Sequence, residues 1–167
     1  ILHMLRPWLL PVFFNAVVKQ IVQNLVVRYL ERMFTTNLSL DSLDKYSRIE
    51  VDKEMFKALM QGYEAILSAT LRSQLLRPIT NVVRLLNVPP DMFPDLIPEL
   101  LFEDFGDQSM DVVKGVLSLH HEIGAAAYDR IKSECREHVE MPTKPGLLKL
   151  KVEIHNARYS KKNIGGI

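Results

Sequence analysis

An all-α fold follows from three features of this 167-residue sequence. Apolar residues recur at threes and fours through most of residues 12–140. Prolines at 78, 89, 90, 94 and 98 divide that helical track into short segments. Strict apolar–polar alternation, the mark of a strand, is confined to the tail around 147–154. The expected architecture is an antiparallel helical bundle over 1–140, followed by a basic tail over 141–167.

The strongest element spans 12–34. Phe14, Val18, Ile21, Val22, Leu25, Tyr29 and Met33 form its stripe, and Val17, Val26 and Leu30 widen it, so the helix should be contacted on most of its circumference. Pro7 and Pro11 belong just before its start. Residues 35–51 are rich in Ser, Thr, Asp and Asn and read as a loop with at most a short turn, and Asp52 caps the next helix. That helix runs over 53–76, with Phe56, Leu59, Met60, Tyr63, Ile66, Leu67, Thr70, Leu71 and Leu75 on one side. Gly62 costs it roughly 1 kcal/mol without ending it.

Pro78 should break or kink the run, because it disfavours helical angles at Arg77. A short helix restarts over 78–86 and ends at Pro89 and Pro90. Asp91 caps a turn, Pro98 sits in the first turn of another helix, and Gly106 stops it. Residues 107–140 hold two helices. Asp107 or Ser109 caps the first, with Met110, Val113, Leu117 and His120 along one side; the second runs from Gly124 or Ala125 through Val139.

The composition, 47% hydrophobic and 25% charged, suits one globular domain or one compact piece of a larger protein. The start, "ILHMLRPWLL", has no initiator Met and reads as the ragged edge of an excised fragment. No apolar run reaches the roughly 18–20 residues needed to cross a bilayer. The lone cysteine, Cys135, excludes an intrachain disulfide and a multi-cysteine metal site, and a reducing, cytosolic setting is the default.

Catalytic signatures are missing. There is no GxSxG, no Walker loop and no GxGxxG. His120 and His121 are adjacent and point apart on a helix, and "HHEIGA" has Ala125 where a zinc HExxH motif needs its second His. No catalytic residue, cofactor-binding residue or metal ligand is assigned, and the reading is of a protein that is not an enzyme.

Charge is unevenly placed. Residues 1–140 are net acidic, whereas 141–167 carry six basic side chains and one acidic. A formal net charge of +1 gives no whole-domain pull toward nucleic acid. Asp91, Asp95, Glu99, Glu103, Asp107 and Asp111 recur every fourth residue, with Asp104 beside them, which sets neighbours on one helical face. The functional reading is a ridge that docks a basic partner. The plain structural reading is the wet side of helices whose dry side is Phe93, Ile97, Leu101 and Phe105.

In the tail, Leu148, Leu150, Val152 and Ile154 alternate with Lys149, Lys151, Glu153 and His155. A lone strand must pair with something or remain disordered. Lys144, Lys149, Lys151, Arg158, Lys161 and Lys162 suit an anionic membrane surface, at roughly 1 kcal/mol per well-placed charge, or a protein partner that accepts an edge strand. A solvated terminus is the alternative.

The helix order "VVKQIVQNLVVRYLERMF", "EMFKALMQGYEAIL", "LRPITNVVRLLNVPPDMFPDLIPELLFEDFGDQSMDVVKGVLSLHHEIG" resembles the carboxy-terminal bundle of exocyst component 3, across roughly 12–140. Val26, Val27, Tyr29 and Leu30 stand for the family's V-V-x-x-Y-L ending, one residue shorter. Ile79, Val82, Val83, Arg84 and Leu85 match its short basic-apolar segment, Pro89, Pro90 and Asp91 its turn, and Val112, Val113, Val116 and Leu117 its following helix. Pro94 and Pro98 depart from the pattern, in which this helix is uninterrupted.

The resemblance implies the end of a tethering-complex rod that acts in exocytosis without catalysis. Implied partners are sister subunits, SNAREs and small GTPases, and the implied place is cytoplasmic, peripheral at the plasma membrane or secretory vesicles. The runner-up lies in the tail. "KPGLLKLKVEIHNARYSKK" is similar to the first strand of the lipid-binding domain that follows MUN domains of vesicle-priming proteins. A helical small-GTPase effector domain is a further alternative.

Overall fold

The structure, a computed structural model, describes residues 4, 7, 9–35, 42–120, 123–138, 146 and 148–150. Among the described residues six helices form a bundle: α1 (Pro11–Thr35), α2 (Ser42–Gln61), α3 (Ala69–Leu86), α4 (Phe93–Phe105), α5 (Ser109–Leu119) and α6 (Ala125–Glu137). Short 3-10 turns at Pro90–Met92 and Gly106–Gln108 join α3 to α4 and α4 to α5. Among the described residues there is no strand.

The core lies where α3, α4 and α5 meet. α3 packs on α2 and α4; α4 also packs on α5 and α6; α1 packs on α5 and α3. The dry side expected of α4 is the one observed: Phe93, Ile97, Leu101 and Phe105 are fully buried. In α1, Phe14, Val18, Val22 and Met33 of the expected stripe are buried with Val26 and Leu30, while Leu25 is 45% exposed. Arg77 meets Asp104 and Asn81 meets the Leu100 carbonyl, so α3 and α4 run in opposite directions.

Four element boundaries differ from the sequence reading. First, residues 42–51 belong to α2 rather than to a loop. Ile49 is buried and Tyr46 packs against the core, and that burial outweighs the weak helix propensity of a Ser- and Asp-rich stretch. Asp52 lies inside this helix and caps nothing; it accepts a hydrogen bond from the Tyr29 hydroxyl of α1 at 3.0 Å.

Second, the run expected over 53–76 is divided at Gly62–Ser68 by successive turns, in which the Tyr63 carbonyl receives the N–H groups of Ile66 and Leu67. Ser68 starts α3 by accepting the Leu71 N–H on its hydroxyl at 3.2 Å.

Third, Pro78 does not break α3. A mid-helix proline costs about 3 kcal/mol, but Leu75, Ile79, Val82 and Leu85 around it are fully buried. Each contributes roughly 1.5–3 kcal/mol, so packing decides. Fourth, α4 begins at Phe93, not at Pro98, with Pro94 in its first turn, where a missing N–H is harmless. Its end is as expected: Gly106 has φ 52° and donates its N–H to the Phe102 carbonyl.

Candidate functional site: an acidic helix face and the segment docked beside it

α4 carries its carboxylates opposite its buried aromatic side. Asp95, Glu99 and Glu103 line it at every fourth residue, and Asp91 precedes them in the 3-10 turn; all four are exposed. Among the described residues no cation pairs with Asp91, Asp95 or Glu99. Asp111, on α5, is tied to Lys114 at 2.8 Å and half-buried with it. The Asp107 side chain lies outside the described residues. The ridge therefore reduces to a shorter open surface, Asp91, Asp95 and Glu99, with Glu103 shared inward.

Glu103 and Asp104 are shared with Arg77. The Arg77 Nε donates to both Asp104 oxygens, at 3.1 and 3.2 Å, and Nη2 also donates to Oδ1. Nη1 reaches Glu103 Oε2 at 3.0 Å. Asp104 is wholly buried. Burial pushes its carboxyl above the ordinary range, and the Arg77 guanidinium opposes that shift. The hydrogen bond to Asp104 in turn raises Arg77. This fork joins the middle of α3 to the last turn of α4.

The last turn of a helix leaves carbonyls without intrahelical partners. The Asp104 carbonyl accepts the Leu148 N–H at 3.0 Å. Just beyond, the Gln108 side chain takes the next residue but one in both directions: its Oε1 accepts the Leu150 N–H at 2.5 Å, and its Nε2 donates to the Leu150 carbonyl at 2.8 Å. Leu148 and Leu150 are buried in the core, while Lys149 between them is exposed. At Gly146, an added Cβ would lie 2.3 Å from the Asp104 carbonyl oxygen.

Of the basic tail, only Lys149 is placed; Lys144, Lys151, Arg158, Lys161 and Lys162 lie outside the described residues. Within the span expected as a strand, 147–154, Leu148–Leu150 has no strand assignment. Among the described residues, its alternating leucines meet a helical corner rather than a strand. Sequence reasoning missed Arg77, Gln108 and Gly146. The one available signal was Asp104, which breaks the fourfold series and therefore faces away from it.

Elsewhere among the described residues, Lys57, Glu64 and Arg72 line an open cleft between α2 and α3, where Arg72 pairs with Glu64 at 3.5 Å. A cleft of about 350 Å³ between the start of α1 and the α2–α3 turns is lined by Leu9, Phe14, Tyr63 and Ile66, and no residue of the acidic series lines it. His120 stacks edge-on against Phe93, with centroids 4.7 Å apart; His121 lies outside the described residues. Among the described residues no group of three or more His, Cys, Asp or Glu side chains is placed to hold a metal ion. No helix there is long and apolar enough to cross a membrane. Cys135 is buried on α6 against the Phe93 carbonyl, and burial, then Glu134 and Asp95, pushes its thiol up to about 12.

The family model for exocyst complex component Sec6 matches residues 1–124. The chain belongs to the Sec6 family of exocyst subunits. The match covers α1 through α5 and stops before α6 and the tail. Neither the curated proteins nor the solved structures gave a match. Membership of an exocyst subunit family makes this a component of a non-catalytic vesicle-tethering complex, in agreement with the helical-bundle architecture.

Proposed function

We propose that this chain is the helical end of an exocyst component 3 subunit, and that its open carboxylate face docks a basic segment of a sister subunit. The observation that carries the reading is the Sec6 family match over residues 1–124. In support, Asp91, Asp95 and Glu99 project from a rigid helix and its leading turn, free of the internal pairs that occupy Asp104 and Asp111. Such a face steers and registers a cationic partner more than it adds affinity. The site of action is the cytoplasmic face of the plasma membrane or of secretory vesicles. SNAREs and small GTPases are further partners of this rod end, and the lysines of the tail add contact with anionic lipid.

The test is capture of partners by the tagged parent protein. It should recover sister exocyst subunits, and Asp91→Lys, Asp95→Lys and Glu99→Lys together should reduce recovery at least several-fold without changing the helical circular dichroism. No recovery of any exocyst subunit by the unmodified protein would overturn the reading. Recovery unaffected by the charge reversal would place the docking surface elsewhere. Flotation with phosphatidylserine vesicles, compared with Lys149→Glu/Lys151→Glu/Lys161→Glu/Lys162→Glu, tests the lipid contact separately.

A further inference from the structure

We draw no further inference here: the strongest candidate, the exposed apolar stripe that Val51, Met55 and Leu59 form along α2, carries nothing, because nothing in the structure shows what covers it.

Discussion

The ring of Phe34, at the end of α1, lies on the bare face of Gly115 in α5: a Cβ added there would meet the ring at 2.5 Å. Ser118, one turn on, donates its hydroxyl to the Phe34 carbonyl at 2.9 Å. Phe34 is 3% exposed. This close approach sets how near the first helix comes to the fifth.

Gly115→Ala should therefore destabilise the bundle, although alanine is the better helix former. Overpacking of a filled core costs about 1–3 kcal/mol, and Gly115→Val should cost more. Urea titrations followed by circular dichroism measure both. Placing Gly115→Ala on a Phe34→Leu background should cost less than on the parent, because contacting sites are not additive.

The Arg77–Asp104 fork yields a prediction about pH. Arg77→Met leaves a wholly buried carboxylate without its cation, which costs about 3 kcal/mol or more at pH 7. Burial already raises Asp104, and loss of Arg77 raises it further. A carboxyl raised in the folded state binds more protons there than in the unfolded state, so the stability of the variant falls as pH rises through that window. The gap between Arg77→Met and the parent should accordingly narrow from pH 7 toward pH 5. Asp104→Asn, which removes the charge, should show no such narrowing.

Cys135 should resist alkylation. With its thiol pushed up to about 12 and its sulfur buried, it carries almost no thiolate near pH 8. Iodoacetamide should label the chain only as fast as it opens, and labelling should accelerate sharply in urea. A thiol raised from its ordinary 9.0 favours the fold fully below that value, and the contribution is lost as pH climbs toward about 12.

Tyr29 joins α1 to α2 through its hydroxyl on Asp52 and its ring, set edge-on to Phe56 with centroids 5.2 Å apart. Burial first, then the charge and hydrogen bond of Asp52, raise its phenol well above the ordinary value of 10.0. Spectrophotometric titration should show one tyrosine that ionises only as the chain unfolds in alkali. Tyr29→Phe should remove that feature and cost about 1 kcal/mol at pH 7, the net worth of one hydrogen bond.

The spacing of apolar residues by itself determined the helical class, the buried side of α4 and its stop at Gly106, because helix periodicity and a left-handed terminus are local properties. It also marked the carboxylate face, since exposure on one side follows from burial on the other. Only the tertiary structure decided that Pro78 stays within a helix, that 42–51 is helical, and which members of the acidic series stand free. Asp111 looks like Asp95 and Glu99 in the chain, and Lys114 makes it different; Asp104 stands outside the fourfold series, but only the fold shows that Arg77 is its partner. The tail shows the same limit. Alternating leucines led to the expectation of a strand, but the partner they find is set by the unpaired carbonyl and the glutamine that the α4–α5 corner brings together, a juxtaposition of residues far apart in sequence that no local pattern encodes.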